Sequence, residues 1–126
     1  TVDEMIDACQ KFDAIKSGVP EVYRILGLMY ARYKNDFETA IPYYEKALEI
    51  NPNDADAWKD IGVIYGQSGD FEQALSAFMK VSELNPEDEQ AMFNIAVTYQ
   101  NLGNAIEANR WFAAYKKKIE EKQNAE

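Results

Sequence analysis

Apolar residues in this chain return at the three- and four-residue steps of a helix, and no stretch alternates as a strand would. Trp58, Ile61, Gly62 and Tyr65 fall on one helical stripe. Gly69-Asp70 closes that helix and opens another. Gly69 suits the left-handed turn after a helix, and Asp70 suits an N-cap. Gln73, three residues on, fits the capping-box pattern. Ala74, Phe78 and Val81 mark the stripe of the second helix. Asn85-Pro86 ends it, because the residue before a proline resists helical dihedrals.

This hairpin recurs. Shifted by 34 residues, Trp58, Ile61, Gly62 and Tyr65 fall on Met92, Ile95, Ala96 and Tyr99, and Ala74 and Phe78 on Ala108 and Phe112. Gly69-Asp70 falls on Gly103-Asn104. Shifted backwards, Ala74, Phe78, Val81 and Pro86 fall on Ala40, Tyr44, Ala47 and Pro52. Tyr23, Leu26, Gly27 and Tyr30 repeat the Trp58 spacing but lie one residue further from Ala40, so the first unit is 35 residues long. Its turn carries Asn35-Asp36, with Asn35 in the glycine's place. Gly27, Gly62 and Ala96 on one helix, and Ala40, Ala74 and Ala108 on the other, permit close helix approach. Tyr44, Phe78 and Phe112 fill the space between. One hairpin cannot bury its apolar face alone, so the units must stack.

These residues resemble the tetratricopeptide repeat, whose pattern runs from an aromatic through Leu-Gly and Tyr to Ala, Phe, Ala and Pro. The resemblance covers about residues 20 to 122 and is loosest in the third unit, where Met92, Ala96 and Glu120 replace aromatic, glycine and proline. It implies an all-α fold: a right-handed α-solenoid of antiparallel helical hairpins, with about seven helices. The expected organisation is a single domain, 1–126. It comprises repeats at 20–54, 55–88 and 89–122, the last with an extended helix, and a tail at 123–126. Residues 1–19 form a partial repeat or a capping helix.

The partial repeat is suggested by Ala8, Phe12, Ile15 and Pro20, spaced like Ala40, Tyr44, Ala47 and Pro52. It places a helix at 3–16 and requires Phe12 and Ile15 to pack. At the other end the last helix is expected to run to about Lys122. Lys116, Lys117 and Lys118 suit the negative end of its dipole and read as a solvated face. Trp111 and Tyr115, if exposed there, would form a self-association surface.

Composition narrows the chemistry. The chain has no histidine and one cysteine, Cys9. A Ser-His-Asp or Cys-His arrangement, an internal disulfide and a thiolate metal cluster are all excluded. The carboxylates read as caps or solvent-facing groups, so no enzyme, cofactor or metal is expected. Net charge is −9, which disfavours nucleic acid and anionic membranes, and no apolar run approaches a membrane span. The chain opens at Thr1 without a signal-peptide pattern, as a mature chain or an excised fragment would.

The resemblance implies that first helices line a concave groove. By register that groove shows Arg24, Leu28 and Arg32, then Lys59, Asp60, Val63, Gly66 and Gln67, then Gln90, Phe93, Asn94, Val97 and Asn101. Leu28, Val63, Phe93 and Val97 would form an apolar strip. Gln67, Asn94 and Asn101 would meet a peptide backbone, and Arg24, Arg32 and Lys59 would supply positive charge. Gly66, inside a helix, marks a bare groove wall, tolerated drift, or close packing. Some members grip acidic chaperone tails through a carboxylate clamp; the corresponding Arg24, Leu28, Asp60, Gln90 and Asn94 do not fit one. The expected function is non-catalytic: a scaffold module binding a peptide or helix of another protein. A self-assembling segment, as a homo-oligomer, or the interaction arm of a larger protein or enzyme is the alternative.

Overall fold

A computed structural model of the chain describes residues 1–125. Its helices are α1 (Val2–Ile15), α2 (Pro20–Leu28), α3 (Phe37–Ile50), α4 (Ala55–Gln67), α5 (Phe71–Leu84), α6 (Glu89–Asn101) and α7 (Ala105–Ala125). α2 runs on through a π-helical turn, Met29–Tyr33. The helices form an all-α solenoid of hairpins: α2 pairs with α3, α4 with α5 and α6 with α7, and α3 and α5 carry each hairpin onto the next.

Side-chain caps set the helix starts. Asp36, Asp54, Asp70, Asp88 and Asn104 accept the amides of Thr39, Ala57, Gln73, Ala91 and Glu107 at 3.1 to 3.5 Å. Each such cap contributes about 1 kcal/mol. The left-handed turns fall where the repeat pattern put them, at Asn35 (φ 51°), Gly69 (φ 80°) and Gly103 (φ 81°).

The π turn accounts for the longer first unit. The Asp70 and Asn104 amides reach back to Tyr65 and Tyr99, five residues earlier, at 2.9 Å. The Asp36 amide makes the same 2.9 Å bond to Tyr30, six residues earlier. One extra residue is absorbed by widening the helix, with the Lys34 amide bonded to the Met29 carbonyl at 3.3 Å. Such single-turn insertions are how α-helices take up one residue without breaking.

Close packing centres on two glycines. A Cβ on Gly27 would stand 2.7 Å from the Tyr44 ring, and one on Gly62 would stand 2.7 Å from the Phe78 ring. Tyr44 is wholly buried. A Cβ on Gly66 would meet nothing within 4 Å, so close packing does not explain that glycine.

The first helix departs from expectation. Phe12 is 46 % and Ile15 88 % exposed, and Ala8 is exposed as well. α1 instead turns Val2, Ile6 and Cys9 onto the cluster around Tyr23, Leu26 and Met29. The predicted equivalence of Ala8, Phe12 and Ile15 with Ala40, Tyr44 and Ala47 therefore fails at the level of packing. The junction explains it: the Tyr23 hydroxyl donates to Asp13 at 2.8 Å and accepts from the Gly18 amide at 3.2 Å. These bonds fold the short linker back and fix α1 by its other face.

α7 runs to Ala125, so the three lysines lie well inside it rather than at its end. Lys118 pairs with Glu87, and Lys122 with Glu89 at 2.6 Å, tying α7 to the start of α6. Lys116 and Lys117 face solvent as expected.

Candidate protein-interaction groove

α2 with its π turn and α4 each pack on α3. Between them is a cleft of ≈ 320 Å³, lined by Leu28, Ala31, Arg32, Asn35, Tyr44, Asp60, Val63 and Gln67 among others. The π turn delivers Ala31 and Arg32 to this cleft, and the left-handed Asn35 closes its end. Leu28 and Val63 give it an apolar wall, and Gln67 and Asn35 give it amides.

A polar knot holds its base. The Tyr44 hydroxyl donates to Asp60 Oδ2 at 3.3 Å, and Arg24 Nε stands 3.8 Å from the same oxygen. Burial pushes the Asp60 carboxyl above the usual aspartate range, against the opposing pull of Arg24, the Tyr44 hydrogen bond and Arg32. Burial, then the Asp60 charge, drives the Tyr44 phenol far above its ordinary value, so it stays a donor. At 3.3 Å this is a long hydrogen bond, weaker than the short charge-assisted kind.

The structure brings together five of the residues expected in the groove, Leu28, Arg32, Asp60, Val63 and Gln67. Others are engaged elsewhere. Arg24 is held by Asp60, and Lys59 braces α4 to α6 through Asp88 at 3.6 Å and Gln90 at 3.3 Å. The positive charge expected from these two is thus largely spent inside the protein. Arg32 is exposed and makes no ion pair among the described residues, so it alone of the three presents an unpaired cation. Phe93 lies outside this cleft and remains partly exposed, its ring against Phe112 and Tyr115 with centroids 5.9 and 5.3 Å away. Asn94 and Val97 are half-buried and Asn101 is exposed. Sequence reasoning assigned Tyr44 to packing alone; its hydroxyl in the cleft had no signal in the repeat pattern.

Trp111 and Tyr115, the rings that would form a self-association surface if exposed, are both half-buried. Trp111 is half-buried against the cluster of Ala74, Phe78 and Ile95, and Tyr115 lies against Phe93. Burial raises the Cys9 thiol above its ordinary value, which disfavours a reactive thiolate. Among the described residues no group of three or more Cys, Asp or Glu converges as a metal site, and no helix is long and apolar enough to cross a membrane.

Stacked hairpins with a cleft between successive first helices define a helical-repeat protein. The tetratricopeptide repeat family matches residues 26–94, and the chain belongs to that family. Two crystal structures of MamA are similar to it, each at 27 % identity. One superposes with a TM-score of 0.87 over 94 % of this chain and 69 % of that one. The other gives 0.88 over 99 % and 68 %. The N-terminal domain of stress-induced protein-1 (STI-1) from C. elegans shares the fold, with 21 % identity and a TM-score of 0.72 over 90 % of this chain and 86 % of that domain. No curated protein sequence matches the chain. Family and neighbours together make the chain a protein-interaction scaffold module of helical-repeat type.

Proposed function

We propose that this module is non-catalytic and holds a peptide segment or helix of another protein in the cleft between α2 and α4. The observation that carries the reading is the convergence of Leu28, Val63, Arg32 and Gln67 on one cleft of ≈ 320 Å³. That volume lies at the small end of ligand-pocket sizes, about 300 to 1,000 Å³, and suits one or two anchoring side chains. The apolar wall takes an aliphatic or aromatic anchor, Arg32 a carboxylate or carbonyl, and Gln67 and Asn35 the backbone. The π turn supports the reading, since such turns gather at functional sites. Arg24, Lys59, Phe93, Asn94, Val97 and Asn101 then act as frame or as the distal groove. In this reading 1–126 is a single domain of three repeats, 20–54, 55–88 and 89–122, with 1–19 as a capping helix.

The test is affinity capture with the wild-type chain beside Val63→Asp and Arg32→Glu, both exposed positions. Partners retained by the wild type and lost by both variants, with helicity unchanged, support the groove. Equal retention by all three refutes it.

A further inference from the structure

The second helices repeat with one difference. Tyr43 in α3, Ala77 in α5 and Trp111 in α7 stand at the same position, 34 residues apart. Tyr43 covers its hairpin by stacking on Tyr30, with centroids 5.8 Å apart and ring planes 12° apart. Lys46 completes the cover, its Nζ 5.6 Å from the Tyr23 ring and 5.7 Å from Tyr43. Trp111 covers the third hairpin, packed with Tyr99 on the Phe78 cluster. In the middle hairpin the side chain stops at a methyl group. Trp58 and Tyr65, the counterparts of Tyr23 and Tyr30, are left with a cavity of ≈ 420 Å³ between α3, α4 and α5, on the other side of α4 from the groove.

The cavity has a definite character. Leu48, Ile61 and Ala77, all at least nine-tenths buried, form its floor. Trp58 is fixed beside it by the bond from its Nε1 to the Pro52 carbonyl at 2.8 Å. Glu45 and Glu49, one helical turn apart on α3, stand at the rim and make no ion pair among the described residues. The cation that covers the rings in the first hairpin is also missing. Lys80, the counterpart of Lys46, pairs with Glu83 at 3.7 Å instead.

We propose that this outer pocket takes an arginine side chain from an extended basic segment of a partner protein. The aliphatic stem of arginine suits the apolar floor. Its planar guanidinium stacks on aromatic faces and forks onto carboxylates, which a lysine ammonium does less well. A cation here restores what Tyr43 and Lys46 supply in the first hairpin. A chain of net charge −9 draws a basic segment by long-range attraction. The site is separate from the α2–α4 groove, so either proposal stands if the other fails.

The test follows the indole N–H resonances of Trp58 and Trp111 in the 126-residue chain. The probe is a blocked pentapeptide, acetyl-Gly-Gly-Arg-Gly-Gly-amide, beside its citrulline and tryptophan analogues. The arginine peptide is expected to move Trp58 saturably and leave Trp111 in place, and the neutral citrulline peptide to move neither. Glu45→Gln with Glu49→Gln, both exposed, is expected to weaken binding about tenfold. Ala77→Tyr, which fills the pocket as Tyr43 does, is expected to abolish it. No saturable shift, equal binding by citrulline, preference for the tryptophan peptide, or full binding by the glutamine variant each overturns the proposal.

Discussion

Replacing Gly62 by alanine tests the packing of the solenoid directly, because Gly66 in the same helix serves as its control. Both substitutions gain helix propensity, about 1 kcal/mol relative to glycine in mid-helix at 62 and somewhat less in the last turn at 66. They differ in what the new methyl group meets. At position 66 nothing lies within 4 Å, so the gain is kept. At position 62 the Cβ would lie 2.7, 2.9 and 3.1 Å from three atoms of the Phe78 ring. That ring is only 5 % exposed and has little room to withdraw. Overpacking of this kind costs about 1 to 3 kcal/mol, so it cancels or outweighs the propensity gain. Gly66→Ala is expected to stabilise by about 0.5 to 1 kcal/mol, and Gly62→Ala to destabilise by up to about 2. For a chain of 126 residues about 1 kcal/mol moves the melting temperature by about 4 °C. Thermal and urea unfolding followed by circular dichroism reads both variants, and the comparison between them removes the common propensity contribution. Equal stabilisation by the two substitutions would refute the claim that the glycine is there to admit the ring.

Three further outcomes follow from the caps and the polar knot. Gly69→Ala forces an alanine to φ near 80° and is expected to cost about 1 kcal/mol, read by the same melts. Tyr44→Phe leaves Asp60 with Arg24 as its remaining close partner; loss of so long a hydrogen bond costs about 0.5 to 1.5 kcal/mol, and no loss of stability would show the contact to be idle. Folded Asp60 holds its proton to higher pH than the unfolded chain does. Between the usual aspartate range and that raised value the folded state binds more protons, so this group's contribution to stability falls as pH rises. Urea midpoints measured from about pH 4 to pH 7 should show that slope flattened in Asp60→Asn and steepened in Arg24→Ala. Unchanged slopes would mean Asp60 titrates as an ordinary surface carboxylate.

The helices, turns and glycines of this fold are legible in the sequence because each is fixed by local chemistry repeated three times. Asn35 could be read as a left-handed residue from its register with Gly69 and Gly103, and it is one. The extra residue of the first unit was visible as a count. Its resolution into a π turn was not, since an insertion can equally lengthen the loop. α1 shows the limit of spacing arguments. Ala8, Phe12 and Ile15 have the right intervals, but intervals fix only which residues share a face. The buried face is instead the one carrying Val2, Ile6 and Cys9, and Tyr23 bonds to Asp13 and Gly18 beside it, contacts across a short linker that no repeat pattern encodes.

The charges of the groove were misjudged for a related reason. Arg24 and Lys59 occupy positions that point along the stack, and what they meet depends on the next hairpin, not on their own. Asp60 and Asp88 happen to stand there, so both cations are consumed as struts. Arg32, displaced onto the π turn, escapes that fate. The same logic hid the outer pocket. Ala77 is unremarkable within its own helix, and small residues are common in solenoid cores. It becomes informative only once Tyr43 is seen stacked on Tyr30, and Trp111 beside Tyr99 on the Phe78 cluster, at the equivalent positions. In a repeat protein the functional signal therefore lies less in the residues that keep the pattern than in a position where one unit leaves open what its neighbours close.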